Sequence, residues 1–288
     1  MRKGIRRCRV RQPFQPPTRA HSPMTTPGSP LTLATIIPCH NSAVTLARAI
    51  TSALSQPELD ELLVVIDASH DDSLRIAQRF EQDDSRVRAI DVATQGGPAQ
   101  TRNFGAAAAT SDILCFLDAD DEHLPGFYGF AKQVFATLPQ WAGLKCGTEI
   151  VDLPEGLSLD DTDPRYDGVL ASAPWNLAVR KPVFWMAGGF PQGSVFRGKL
   201  GGEDLALNRA LRHNFDVAFT ELKFCRHYNR PGSHLEQYLR RTSVVDGSVV
   251  FATSLPEELD GSMDLALSQH VERAASNQSL QSLQKTQT

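Results

Sequence analysis

The chain lacks any apolar run near the roughly 18 to 20 residues that a membrane-spanning helix needs. Its longest candidates, residues 62–66 and 113–117, are strand-sized. With no transmembrane segment, the protein is expected to be soluble and cytoplasmic, or peripheral to a membrane. Paired cysteines are missing too: Cys8, Cys39, Cys115, Cys146 and Cys225 are odd in number, scattered and without a CxxC spacing. That pattern argues against a disulfide framework or a zinc site, and fits buried thiols in a reducing compartment. Acids are absent from residues 1–30, where Arg2, Lys3, Arg6, Arg7, Arg9, Arg11 and Arg19 stand among Pro, Ser and Thr. This basic leader has no apolar core of the kind a secretory signal carries. It is expected to be disordered, or to be sequence ahead of a start at Met24. Because the whole chain carries a net charge of −4, the remainder is markedly acidic. An acidic body excludes a nucleic-acid-binding domain, whose affinity rests on neutralising phosphates.

Of the 288 residues, 41% are hydrophobic and 22% charged, an ordinary globular balance. From Leu31 the texture becomes regular. LTLATII reads as a buried strand stopped by Pro38, and Asn41 or Ser42 can cap a helix with Ala43, Leu46, Ala47, Ile50 and Leu54 on one face. ELLVVI, RVRAIDV and DILCFL read as further strands, separated by a helix over residues 71–80 and another opened by GGP. Such alternation implies right-handed crossovers and a mostly parallel central sheet flanked by helices. Ligands in such sheets bind beyond the carboxyl ends of the strands. Further on, GLKCGTEIV, VLASAPWNLAV and VAFTEL read as strands, residues 203–213 and 231–245 as helices, and residues 269–288 as a polar tail. No internal repeat is found.

The acids Asp118, Asp120 and Asp121 collect at the end of DILCFL, where mutual repulsion offers stability nothing. A hard divalent cation, Mg²⁺ or Mn²⁺, gives carboxylates a reason to gather, and such ions often share substrate phosphates. The competing reading is a solvated acidic turn that caps the next helix. Glu203-Asp204 can likewise be a helix start whose acids meet the dipole, and Asp67 an ordinary turn acid. GGPAQTRNFG is not a GxGxxG fingerprint and no GxxxxGK[ST] occurs, so dinucleotide oxidoreductase and P-loop readings lose their best evidence.

Taken in order, TIIPCHN, IDASHDDS, GGPAQTRNFG, FLDADDEHLPG and GGEDLALNRAL resemble the inverting GT-A glycosyltransferases of the family 2 type over roughly residues 32–235. The resemblance implies the GT-A (nucleotide-diphospho-sugar transferase) fold, with residues 31–121 as the nucleotide-binding half, 122–245 as the acceptor half and 246–288 as a largely polar C-terminal extension. It implies that Pro38, Cys39, His40 and Asn41 line the donor nucleotide and that Asp67 hydrogen-bonds its base. Arg102 and Asn103 belong at the donor pocket, Asp118 and Asp120 form the DXD motif, and Asp120 is the more direct metal ligand. Asp204, beside Glu203, matches the catalytic base.

The implied activity is metal-dependent transfer of one hexose-type sugar from a nucleotide-sugar donor, a UDP-sugar by default, to the hydroxyl of an unidentified acceptor. The chemistry agrees: one carboxylate takes the acceptor proton, and a cation offsets the charge of the departing diphosphate on the opposite face. Three positions depart from the family pattern. Ile66 stands where a first acid is usual, His40 where an aromatic often sits, and Arg230 where a histidine often precedes Gly-Ser. The third metal ligand is therefore left to His227 or His234. The QxxRW motif of processive synthases is absent. Trp175 and Trp185 are candidates for an acceptor-stacking wall, and residues 191–202 for a Gly-rich lid. A catalytically inactive nucleotide-sugar-binding scaffold and a sugar nucleotidyltransferase stand as alternatives.

Overall fold

The computed structural model describes residues 30–197, 201–251 and 261–286. The basic leader, apart from Pro30, lies outside the described residues, as do residues 198–200 of the expected lid. The first half alternates β1 (Leu33–Cys39), α1 (Leu46–Leu54), β2 (Glu61–Asp67), α2 (Ser73–Asp83), β3 (Val87–Val92), α3 (Gly97–Ala108) and β4 (Ile113–Phe116). The second half adds β5 (Glu122–His123), α4 (Phe127–Thr137), β6 (Gly143–Val151), α5 (Pro164–Ser172), β7 (Leu177–Arg180), α6 (Lys181–Met186), α7 (Glu203–Asn214) and β8 (Val217–Tyr228). These strands form one eight-stranded sheet in the order β3-β2-β1-β4-β7-β6-β8-β5. Only β7 and β5 run antiparallel to their neighbours.

Side-chain alternation divides the core between the two faces. Leu33, Ile37 and Cys39 of β1 pack with Leu46 and Ile50 of α1 and Phe127 of α4. Ala34 and Ile36 pack with Ala106 of α3, Phe184 of α6 and Leu207 of α7. Burial on both faces explains why the strands read as unbroken apolar runs.

Several local expectations are corrected. β1 continues through Pro38, because Ile36 O accepts the Leu117 N–H at 3.0 Å and the even-numbered residues of β1 therefore face β4. Pro38 lies past the end of β4, so its missing N–H breaks no ladder bond. α1 starts only at Leu46, since Asn41 Oδ1 instead accepts the His70 N–H at 2.8 Å. Residues 169–172, expected as strand, are helical because Asp163 caps α5 by accepting the Arg165 N–H. Residues 231–245 form a shorter helix, α8 (His234–Arg241), followed by β9 (Thr242–Val245) and β10 (Ser248–Phe251). The Asp246–Gly247 corner between them has φ of 49° and 71°, a two-residue hairpin turn. The polar tail is also corrected: α9 (Gly261–Thr286) buries Met263, Leu267, His270 and Ala274 at helical spacing, partly against α7. Among the described residues no helix is long and apolar enough to cross a membrane.

Candidate functional site

β1, β2 and β4 end on one edge of the sheet, and two non-glycine residues there, Asn41 (φ 49°) and Ala68 (φ 48°), adopt the left-handed region. Strain of this kind persists where the surroundings impose it. His40 Nδ1 donates to Asp67 O at 2.6 Å, so Nε2 accepts from Asn41 Nδ2 at 3.0 Å and Gln95 Nε2 at 3.2 Å. The Asp67 carboxylate accepts the Gly96 and Gly97 N–H groups, each at 2.8 Å. Asp67 thereby ties the end of β2 to the start of α3. Cys39 points into the core, where burial raises its thiol pKa, and it offers the edge only backbone.

α3 approaches the sheet closely at Gly105, where a Cβ would lie 2.5 Å from Ile36 Cγ2. That approach brings Arg102 under the strand ends. Its Nη2 donates to Asp118 Oδ1 at 2.7 Å, its Nη1 donates to Asp204 Oδ1 at 2.9 Å, and Glu203 Oε1 lies 3.8 Å away. Arg102 is 5% exposed, while Asp118 and Asp204 are 22% and 28% exposed. One buried cation therefore holds two carboxylates that still reach solvent. Asn103 takes a different part: its amide donates to Phe190 O at 2.7 Å and accepts the Phe190 N–H at 2.9 Å. It clamps the segment after α6 through both ends of its amide.

Withdrawal from water, together with Glu203 and Asp118, pushes the Asp204 pKa up to about 7 against the pull of Arg102. Behind it, Lys145 is buried and donates to Ala173 O and Asn208 Oδ1, both at 2.8 Å. Asn208 Nδ2 in turn donates to Asp204 O at 2.9 Å. Burial lowers the Lys145 pKa to about 7.

On the other side, Asp121 is fully buried and accepts from His227 Nδ1 at 2.8 Å and from the Tyr228 N–H at 3.1 Å. Trp175 stacks on the His227 ring at 4.2 Å with planes 4° apart. Burial raises the Asp121 pKa to about 6. Asp120 Oδ2 meets Arg230 Nε at 2.5 Å, and Arg48 Nη2 donates to Asp120 O at 2.5 Å.

Asp118 and Asp120 supply oxygen donors on the exposed side of the cluster, which suits a hard cation. Asp120 Oδ2 is buried and meets the largely exposed Arg230 arm, so it is an oxygen whose charge a hard cation would also offset. Among the described residues no three His, Cys, Asp or Glu side chains close into a metal cage. An open pair of carboxylates fits Mg²⁺ or Mn²⁺, which complete their shells with water and phosphate. Of the two candidate histidines, His227 sits in the carboxylate cluster with Nδ1 fixed by Asp121. His234 opens α8 and lies beside Gly201. Trp175 and Trp185 do not make one wall: Trp175 packs with the β1–α1 face, while Trp185 contacts Phe184 on the opposite face.

Sequence reasoning missed Arg48, Lys145 and the Asp121–His227–Trp175 stack. Lys145, as a lone cation inside an apolar strand, was the one legible hint.

Residues 34–131 match the family described as Glycosyl transferase family 2. The succinoglycan biosynthesis protein ExoU of Rhizobium meliloti (strain 1021) is 38% identical over 104 residues, 36% of this chain and 30% of that protein. A GalNAc(5)-diNAcBac-PP-undecaprenol beta-1,3-glucosyltransferase of Campylobacter jejuni is 35% identical over 96 residues, 33% of this chain and 31% of its own. The chain thus spans about a third of the length of the curated relatives it matches. Two solved structures share the fold. S. aureus TarS 1-349 in complex with UDP-GlcNAc has a TM-score of 0.58 at 16% identity, covering 71% of this chain and 60% of that one. The mannosyltransferase PcManGT from Pyrobaculum calidifontis, in complex with GDP-Man and Mn²⁺, has a TM-score of 0.57 at 16% identity, covering 88% and 75%. The fold is therefore GT-A, and residues 34–131 are similar to the family 2 glycosyltransferases.

Proposed function

We propose that this chain transfers a single sugar from a nucleotide-sugar donor to an acceptor hydroxyl, with inversion at the anomeric carbon. The observation that carries this reading is Arg102, which holds the donor-side Asp118 and the base candidate Asp204 at the two ends of one buried guanidinium. The donor nucleotide belongs over His40, Asn41 and the Asp67-anchored turn, where the strand ends open. Relatives of this fold are described with UDP-GlcNAc and with GDP-Man and Mn²⁺, which supports a nucleotide-sugar donor without choosing its base.

Asp204 Oδ1 is held by Arg102, leaving Oδ2 to take the acceptor proton. The acceptor oxygen then bonds to the anomeric carbon as the bond from that carbon to the diphosphate breaks. Asp118 and Asp120 would hold the metal, with His227 as the nearer candidate for a third position. A bound Mn²⁺ or Mg²⁺ would supply electrostatic relief for the negative charge on the leaving diphosphate. Arg102 keeps Asp118 and Asp204 from repelling each other before substrate arrives.

The test is a panel of nucleotide sugars, with and without Mn²⁺, read by thermal shift and by release of nucleoside diphosphate. Metal-dependent stabilisation by one donor, lost in Asp120→Ala, together with diphosphate release, is the expected result. Stabilisation without release over long incubation would favour the inactive scaffold. No response to any donor, in a folded protein, would overturn the reading.

A further inference from the structure

Asp118 and Asp120 each face an arginine, and the two arginines differ in their freedom. Arg102 is 5% exposed and lies among three carboxylates, so it cannot leave without stranding them. Arg230 has a side chain 73% exposed and meets Asp120 Oδ2 through Nε at 2.5 Å.

The backbone of Arg230 does not share that freedom. Ser233 N–H donates to Arg230 O at 3.0 Å, closing a turn with Pro231 second and Gly232 third. Gly232 has φ of 74°, the left-handed value a type II turn needs at that place. Asn229 N–H donates to Val151 O at 3.0 Å, and Ser233 Oγ donates to Asn229 Oδ1 at 2.7 Å. Arg230 is thus a cation on a rigid post with a long rotatable arm. Arg48 does not compete for the same oxygen, since it takes the Asp120 carbonyl and lies over the Tyr228 ring at 3.6 Å.

We infer that Arg230 is a movable counter-ion, paired with Asp120 while that carboxylate holds no metal, and released to the donor's diphosphate when Asp120 turns to a divalent cation. This rests on the glycosyltransferase reading above. A guanidinium cannot ligate a cation, so at Asp120 it opposes the metal instead of completing its shell. Its planar fork of donors does match phosphate oxygens, and its charge is permanent. The same side chain therefore weakens metal binding to the protein alone and strengthens nucleotide binding once metal is present. A merely structural residue would lower both affinities together, so the opposite signs are diagnostic.

The experiment titrates Mn²⁺ into the nucleotide-free protein, following the free-ion signal by electron paramagnetic resonance. UDP, GDP and TDP binding are then measured by calorimetry at saturating Mn²⁺. Arg230→Gln is expected to bind Mn²⁺ several-fold more tightly than the unmodified protein, and the nucleoside diphosphate about tenfold more weakly. Arg230→Lys, which keeps the charge and loses the fork, is expected to restore the weaker Mn²⁺ binding but only part of the nucleotide affinity. Unchanged or weaker Mn²⁺ binding in Arg230→Gln, or unchanged nucleotide binding, overturns the inference. If the unmodified protein binds both probes and Arg230→Gln equals it, only this inference falls. If the unmodified protein binds neither, the glycosyltransferase reading falls and takes this one with it.

Discussion

Arg102 Nη1 donates to Asp204 Oδ1 at 2.9 Å, joining the helix packed behind the donor half to the first turn of a helix from the acceptor half. The same guanidinium reaches Asp118 at 2.7 Å, so a single residue sets the spacing between the two ends of the proposed reaction. Arg102→Lys keeps a charge but cannot span both carboxylates. It should lower stability by about 1–3 kcal/mol, the worth of a lost charged hydrogen bond. Diphosphate release should fall by roughly two orders of magnitude through misplacement of the reacting groups. Urea unfolding and turnover, measured on the same preparation, check both.

The proposed base must be ionised to accept a proton. With the Asp204 pKa pushed up to about 7, its carboxylate is mostly protonated at pH 6 and mostly ionised at pH 8. The kcat/KM, which reports the free protein, should therefore rise with pH through about 7, with the slope of a single group, while nucleotide binding changes little. A rate already flat between pH 5.5 and 8 would remove Asp204 from the role.

Acid should destabilise the fold through His123. Its Nε2 donates to Trp175 O at 2.9 Å, and Nδ1 accepts from Tyr128 Oη at 2.7 Å, so the ring is neutral and enclosed. Burial lowers its pKa from 6.5 to about 4. Between those values the unfolded chain binds a proton that the folded chain does not, so stability falls as pH drops from about 6.5 towards 4. His123 alone contributes a loss of about 2 kcal/mol between pH 7 and pH 5, opposed by Asp204 and Asp121, whose raised pKa values favour the folded state as pH falls. The measurement is therefore the difference between unmodified protein and His123→Asn. The change in urea-derived stability from pH 7 to pH 5 should be more favourable in His123→Asn by about 2 kcal/mol, and an identical change in both proteins contradicts it.

Asp67 tests two roles at once. Asp67→Asn keeps one acceptor oxygen and puts an N–H₂ where the second glycine amide points, which should cost about 1–3 kcal/mol. If Asp67 also reads the nucleotide base, donor affinity should fall more than tenfold. A stability loss without an affinity loss would leave it as the anchor of the turn alone.

The alternating first half was legible because β1, β2 and β4 are buried on both faces and the helices between them keep their apolar spacing. The site acids were legible for a related reason: Asp118, Asp120, Asp67 and Asp204 stand at strand ends or a helix start, where sequence order alone places them. What escaped was long-range pairing. Nothing local shows that Asn103 clamps Phe190, that His227 leans on Asp121, or that Arg230 meets Asp120. The hairpin at Asp246–Gly247 was missed although Asp-Gly between valines signals one. The last helix was missed because its buried positions, Met263, Leu267, His270 and Ala274, stand among polar residues in a sequence that reads as a tail.

The central claim is that Asp204 takes the acceptor proton in a site whose donor half binds independently of it. Asp204→Asn, compared with the unmodified protein for donor affinity and for sugar transfer or donor hydrolysis, tests this most directly. The account predicts donor affinity within about twofold and a rate lower by roughly 10²–10⁴. An Asp204→Asn protein that turns over at the unmodified rate would contradict it.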